Sequence, residues 1–246
     1  MKLNNTLSLF LALILFVSAC SAVPQANSPT REMPTDSPWS KNGIVYEKPV
    51  WKMVKGEFGV DVVSTVRNNN NQPTEVIFHY ELYGPNGNLI STCSNTTDRS
   101  SILDGDNSIV SSNGTATMQC AHKIYAPVNA SDTDSYNWKH GVIVIPLDEI
   151  AATDISVLET GFDKTEEYAG IVSYIVHARI QSGSDKQVTT RFYVLDNEGV
   201  QFIGCETDSE LRNDAAVRVE CRVTYNTDKI NQAPASLIVD VIEWEQ

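Results

Sequence analysis

Apolar and polar residues alternate with a period of two along most of the chain after residue 44. The alternating segments are 58–67, 76–82, 172–180, 217–225 and 237–244. Such alternation is typical of strands that turn one side to a core and the other to water, as in antiparallel sheets. Turn residues separate the segments at short spacing. The pattern predicts an all-β chain of antiparallel sandwiches, and it leaves room for a single helical turn over 148–152.

The strand pattern is repeated at a shift of 112 residues without a gap. This shift places Gly87 on Gly199 and Cys93 on Cys205, with apolar residues on apolar residues in the strands before them. In both copies a strand ends in a turn whose glycine can take a positive φ without strain. Each copy has about 100 residues, the size of an immunoglobulin-type sandwich. We therefore predict two tandem immunoglobulin-like β-sandwich modules. They cover 44–153 and 154–246.

The first nineteen residues have the pattern of a secretory signal. Lys2 supplies a positive start, and residues 7–17 are almost wholly apolar. This run is too short for a stable transmembrane helix, which needs about 20 apolar residues. We therefore predict a signal peptide over 1–19 and an exported protein. An ordinary signal peptide, cut after Ala19 or Ala22, is one of two interpretations of this segment.

The other interpretation is a lipid anchor. The apolar run ends in the sequence VSAC at 17–20, which resembles the lipobox of bacterial lipoproteins. The resemblance implies that the signal is cut before Cys20, that its thiol carries a diacylglyceryl group and that the new N-terminus is acylated. Two or three acyl chains hold a protein stably on a membrane. Ser21 rather than Asp after the cysteine implies the outer membrane if the host is Gram-negative.

Residues 20–43 have the composition of a tether. Four prolines are spread among Ser, Thr, Asn and Gln, with almost no large apolar side chains. Such a segment cannot bury enough surface to offset the entropy of ordering it. Its prolines favour extended conformations, with a reach of at most about 70 Å at about 3.1 Å per residue. We predict a disordered spacer between the anchor and the modules.

Four of the five cysteines divide between the two modules. Of the three possible pairings, the repeat favours one bridge within each module: Cys93 with Cys120 and Cys205 with Cys221. The first pair is 27 positions apart and the second 16, so the first module carries eleven extra residues, which we place within 98–114. Disulfides are expected in an exported protein. A four-cysteine zinc site is not favoured, because no Cys-x-x-Cys spacing occurs.

The strand ends resemble a known motif. The sequences YELYG at 80–84 and FYVLD at 192–196 resemble the motif of the FxLYD family, which is Phe, any residue, Leu, Tyr, Asp. The first copy departs at the first and last positions and the second in the middle. The resemblance implies an immunoglobulin-like fold in an envelope or secreted protein, and it implies no particular activity.

Charge and motifs exclude several classes of function. The formal net charge of −13 repels nucleic-acid phosphates, so we expect no nucleic-acid partner. No nucleophile elbow, phosphate loop or metalloprotease motif occurs, and the four histidines lack metal-ligand spacing. Residues 104–108 begin like a calcium loop, but Ile109 and Thr115 stand where that loop needs Gly and Glu. We therefore predict no catalytic residue, no metal site, no cofactor and no enzyme activity.

These observations together predict a lipid-anchored protein of the cell envelope. The acyl chains would hold it to the membrane, and two disulfide-stabilised modules would serve adhesion or scaffolding with an envelope protein of unknown identity. Exposed edge strands or the inserted segment 98–114 could supply the binding surface. A glycan- or small-ligand-binding subunit of an envelope complex is the alternative hypothesis.

Overall fold

The computed structural model describes most of the chain after residue 38. The described residues are 39–47, 50–53, 59–95, 102–105, 108–123, 137–228 and 230–244. The predicted signal peptide, Cys20 and the predicted tether up to residue 38 lie outside them. The signal peptide, the lipid anchor and the tether therefore stay predictions.

Within the described residues the chain forms sixteen strands and no helix. The strands of the first half are β1 (Trp39–Lys41), β2 (Ile44–Tyr46), β3 (Val50–Met53), β4 (Gly59–Asn68), β5 (Thr74–Tyr83), β6 (Leu89–Ser94), β7 (Ile102–Asp104), β8 (Ile109–Val110), β9 (Thr115–Lys123) and β10 (Asn137–Pro146). Those of the second half are β11 (Ile155–Tyr168), β12 (Ile171–Ser182), β13 (Lys186–Leu195), β14 (Gln201–Leu211), β15 (Ala216–Asn226) and β16 (Ser236–Glu243). The all-β prediction is confirmed.

The first half encloses a core between two layers of strands. One layer has the order β1-β2-β4-β9, with β3 also on β4, and the other has the order β10-β5-β6, with β8 also on β5. Alternate residues of β5 are buried, from Thr74 to Leu82, because the strand shows one side to the core. Within this core the Ser64 hydroxyl lies 2.9 Å from the Tyr46 hydroxyl and 2.7 Å from that of Tyr80. These contacts satisfy polar atoms that burial would otherwise leave without water.

The second half repeats this arrangement. Its layers are β11-β12-β15 and β14-β13-β16, and a separate core cluster lies between them. The hairpin β13–β14 matches the hairpin β5–β6 at the predicted shift: in each turn a glycine with positive φ, Gly87 at 79° or Gly199 at 76°, follows the strand. The N–H of each glycine donates to the carbonyl three residues earlier, on Gly84 or Asp196.

One sheet continues through both halves. Ala116 of β9 and Gln201 of β14 form a single parallel pair, which joins a layer of the first half to a layer of the second. The module boundary between residues 153 and 154 and the number of modules therefore stay predictions. The first strand begins at Trp39, so regular structure starts before residue 44, inside the segment predicted as tether.

The segment 148–152 is not a helical turn. It is extended, with Ala151 paired to Ile242 of β16 and the Ala152 N–H donating to the Val241 carbonyl at 2.9 Å. The expectation of a turn was wrong because β16 offers free backbone groups along its outer edge. Pairing with them satisfies the donors and acceptors of the segment in an extended conformation.

Candidate interaction surface

The four predicted disulfide cysteines are paired as predicted. Cys93 on β6 bonds to Cys120 on β9, and Cys205 on β14 bonds to Cys221 on β15. Each bridge joins the two layers that enclose one core. The loops closed by the bridges limit the freedom of the unfolded chain, which is how a disulfide stabilises a fold in the chain-entropy model. The bridges are structural and lie within their own halves.

The described residues offer no metal centre. No three His, Cys, Asp or Glu side chains among them lie close enough together to hold an ion. The buried His177 faces Asp163, with Nε2 3.4 Å from the carboxylate Oδ2. Of the calcium-like stretch 104–108, residues 106 and 107 lie outside the described part of the chain. No helix of the described residues is long and apolar enough to cross a membrane.

The inserted segment of the first half contacts the second half. Asp104 and Ile102 of β7 pair with Thr224 and Tyr225 of β15. Gln201, 1 % exposed, adds two hydrogen bonds to residues 109 and 111 of the same segment. Its side-chain amide donates to the Ile109 carbonyl at 2.7 Å and accepts from the Ser111 N–H at 3.3 Å. The described residues of this segment therefore lie against the second half.

A buried arginine fixes the connection between the halves. Arg191 of β13, 7 % exposed, donates from Nη1 and Nη2 to the two carboxylate oxygens of Glu149 at 2.7 and 2.9 Å. Its Nε and Nη2 donate to Glu206 on β14 at 3.2 and 3.1 Å. Such two-pronged contacts are the strongest ion pairs that proteins make. Glu149 lies in the connection just before Ala151, so this contact holds the connection against β13.

Burial and close charges together set the ionisation of this cluster. Burial alone would lower the pKa of Arg191, but its hydrogen bonds to Glu149 outweigh burial, so the pKa is raised and the guanidinium stays charged. Burial raises the pKa of Tyr193, and the Asp240 charge adds to this. Burial also raises the pKa of Asp240, against the opposing effects of Tyr193 and Arg191. Among the described residues, Tyr193 Oη and Asp240 Oδ2 are buried with no hydrogen-bond partner of acceptable geometry.

A cleft of about 320 Å³ opens beside this cluster. Its walls come from the connection, from β11 and β16, and from loops of the first half. The lining residues are Asn71, Pro73, Ser112, Glu149, Ala151, Ala152, Ile155, Val157, Val239, Asp240, Val241 and Ile242. Apolar walls with a few polar groups are the usual composition of a ligand pocket.

Three strands at the sheet edges differ in what lies beside them. The outer edge of β16 is covered by the connection, through the Ala151–Ile242 pair and a hydrogen bond from the Glu243 N–H to the Ile150 carbonyl at 3.0 Å. No described strand pairs with the outer edge of β11 or of β10. An open edge presents unpaired N–H and C=O groups to any strand that approaches.

The open edge of β11 carries features that discourage pairing. Its register is interrupted twice, between Val157 and Glu159 and between Lys164 and Glu166. Five of its fourteen residues are charged, and four of these five are acidic. Bulges and charges on an edge strand are the common means by which soluble proteins prevent sheets from joining.

The edge of β10 has neither feature in its second half. All ten residues of β10 pair with β5 without interruption, and 141–146 contains no charged side chain. Ile143 and Ile145 on its outer face are 45 % and 41 % exposed. Ile143 lies opposite the half-buried Ile77 of β5. Pro146 at the end of the strand has no N–H to donate, but residues 141–145 form an uninterrupted, apolar and uncharged edge, the kind that accepts another strand.

Comparison with known proteins adds no family. No family model matches the chain, and no curated protein matches it. Among solved structures it is similar to a beta-glucuronidase from glycoside hydrolase family 2, with 7% identity and a TM-score of 0.28 over 72% of this chain and 21% of that one. It is also similar to red sea bream transglutaminase, with 12% identity and a TM-score of 0.20 over 80% of this chain and 29% of that one. Likenesses this weak carry no argument about function.

Proposed function

We propose that this chain is a lipid-anchored protein of the cell envelope whose β-sandwiches serve protein–protein adhesion or scaffolding. The anchor is Cys20, the spacer follows it, and two immunoglobulin-like modules of the FxLYD type are what it displays. The observation that supports the interaction role is the uninterrupted and uncharged outer edge of β10, with which no described strand pairs. A partner strand on this edge would form backbone hydrogen bonds and would contact the exposed side chains of Ile143 and Ile145.

The contacts between the halves suit a scaffold. Gln201 bonds to the segment 109–111, β7 pairs with β15, and Arg191 holds Glu149 of the connection. Contacts of this kind resist bending at the junction, so the edge of β10 is presented in a fixed direction. A fixed surface loses less conformational entropy when a partner binds than a flexible one does.

Site-specific crosslinking in native envelopes tests the interaction role. A photoreactive residue in place of Ile143 is expected to give a protein adduct, whereas the same residue in place of Leu158 on β11 gives none. Leu158 is the matched control because it is an exposed aliphatic residue, 52 % accessible, on the other open edge. Equal labelling from the two positions, or no adduct from Ile143, contradicts the proposal.

The anchor is tested separately. Cys20→Ala is expected to abolish incorporation of a labelled fatty acid and to release the chain from the membrane fraction, because the thiol that would carry the lipid is gone. If the Cys20→Ala chain still sediments with membranes, something other than acyl chains on Cys20 holds it there.

Binding of a glycan or small ligand is the second candidate function. The observation that favours it is the cleft of about 320 Å³ lined by the connection, β11 and β16. Ala151 is an exposed residue that lines the cleft, so Ala151→Trp would fill it and is expected to abolish binding of any glycan that the unchanged chain retains on a glycan array. An unchanged binding profile excludes the cleft as the binding site.

A further inference from the structure

The outer face of β10 has a pattern that is complementary to itself. Ile143 sits near the middle of the uncharged tract 141–146 and lies opposite Ile77 of β5. In an antiparallel pair, residues directly opposite each other must share a face of the sheet. Two copies of β10 with Ile143 opposite Ile143 meet this condition, because Gly141 then faces Ile145 and Val142 faces Val144.

Such a pairing would create a continuous apolar row. Each Ile143 already faces Ile77 within its own sheet, so the row across the junction reads Ile77, Ile143, Ile143 of the second copy and Ile77 of the second copy. Directly opposed side chains on one face are close enough to pack together and so stabilise the pairing of the strands. The backbone groups along the edge would gain their missing partners at the same time.

Charge is no obstacle to a second copy as the occupant. No acidic or basic side chain lies in 141–146, so the twofold pairing brings no like charges into opposition there, although the whole chain carries a net charge of −13. A strongly charged partner strand would find no opposite charge on this tract. Lys139 lies outside the tract, and its ammonium group is 4.8 Å from the centre of the Tyr83 ring. The same twofold pairing of β11 would oppose two strongly acidic strands.

We propose that the chain forms a twofold dimer in which the β10 strands of two copies pair antiparallel about Ile143. This inference rests on the proposed interaction role and names the partner as a second copy. The interface is isologous, meaning that each copy contributes the same surface, and so it closes after two copies. Growth into longer assemblies through this edge is then blocked.

Cysteine crosslinking of the full chain tests the register. In a Cys20→Ser background, Ile143→Cys introduces the one thiol outside the two disulfides. Directly opposed Cβ atoms in such a pair lie about 4.5–5.5 Å apart, so mild oxidation is expected to give a disulfide-linked dimer. Leu158→Cys, on the bulged edge of β11, is the matched control and is expected to stay monomeric.

Sedimentation over a concentration series tests the edge without a thiol. The Cys20→Ser chain is expected to dimerise, Ile143→Lys to shift it to monomer, and Leu158→Lys to leave the dimer intact. Ile143 is exposed, so the lysine variant keeps its fold, which circular dichroism verifies. The inference is overturned by a monomer at every concentration, by a dimer that survives Ile143→Lys, or by an equal loss of dimer in the two lysine variants.

The two proposals fail in different ways. A photoadduct from position 143 with the mass of two copies supports both. An adduct of another mass keeps the interaction role and overturns the second copy as partner. The absence of any adduct at 143 in native envelopes overturns both.

Discussion

The last strands of the two halves, β10 and β16, occupy the same place in their sheets but have different neighbours. Each is the third strand of a layer, beside β5 or β13. The outer edge of β16 is covered by residues 150–152, whereas no described strand pairs with the outer edge of β10. Equivalent strands can therefore be closed or open according to the segment that precedes the sandwich.

The preceding segments explain the difference. The 112-residue shift that aligns the halves places Ala151 on Trp39. Ala151 pairs with β16, in the layer that contains β13, but Trp39 pairs with Tyr46 of β2, in the opposite layer. Arg191 fixes the first arrangement through Glu149. In the second half an ion pair on the neighbouring strand thus holds the segment that covers the edge of β16.

The largest expected effect compares the two disulfides. Replacing both cysteines of a pair by alanine should lower the free energy of unfolding by about 3.5 kcal/mol for Cys93–Cys120 and about 3 kcal/mol for Cys205–Cys221, from loop entropy. The sequence separations of 27 and 16 set this order. Urea unfolding of the two double variants measures it. A double variant as stable as the unchanged chain would show that its bridge does not constrain the unfolded state.

Removing the Glu149–Arg191 ion pair is expected to expose the outer edge of β16. Glu149→Gln removes one of the two ion pairs that the buried Arg191 makes with described residues, and it should cost about 3 kcal/mol, since breaking a buried ion pair is expensive. Amide exchange of Glu243 and Ala152 should accelerate, so that β16 behaves like β10. Glu206→Gln is the control: Glu206 is 56% exposed, and its loss should cost about 1 kcal/mol. Unchanged amide exchange in the Glu149→Gln chain would show that the ion pair does not hold residues 150–152 against the edge of β16.

Removing the side-chain amide of Gln201 is expected to weaken the contact between the two halves. Gln201→Ala leaves the Ile109 carbonyl and the Ser111 N–H without their partners at a buried site and should cost about 2 kcal/mol. Gln187→Ala is the control, because Gln187 is an exposed residue of β13. Chemical unfolding compares the two variants. Equal stability would mean that water replaces the amide at no cost.

The smallest expected effect tests the equivalence of the two hairpins. Gly87→Ala and Gly199→Ala each place a side chain on a residue with positive φ, at 79° and 76°, which costs about 1–2 kcal/mol. Neither new Cβ meets another atom within 4 Å, so the two losses should be equal. Thermal unfolding measures both. A clear difference would mean that the turns are not equivalent in energy.

Much of the fold follows from local pattern, and much of the candidate surface does not. The alternation in 76–82 or 172–180 is a property of the strand itself, and the cysteine pairs follow from the repeat. The path of 148–152 depends on an edge more than 90 residues later in the chain, at Ile242. No local signal encodes that contact.

The Arg191 cluster could have been suspected from sequence. An arginine within the otherwise uncharged run 187–195 needs an acidic partner if that strand is buried. Its partner Glu149 could not have been chosen among 31 acidic residues, because only the folded connection brings it near. The open state of β10 is likewise a property of the assembled sheets.

Amide hydrogen exchange along β10 and β16 distinguishes a paired edge from an open one. We expect alternate amides of 141–145 to exchange quickly in the Ile143→Lys chain and slowly in the unchanged chain in native envelopes, where a partner strand covers them. The amides of β16 should exchange alike in both samples, because the connection already covers that edge. Equal exchange of 141–145 in the two samples would contradict the claim that β10 is the interaction edge.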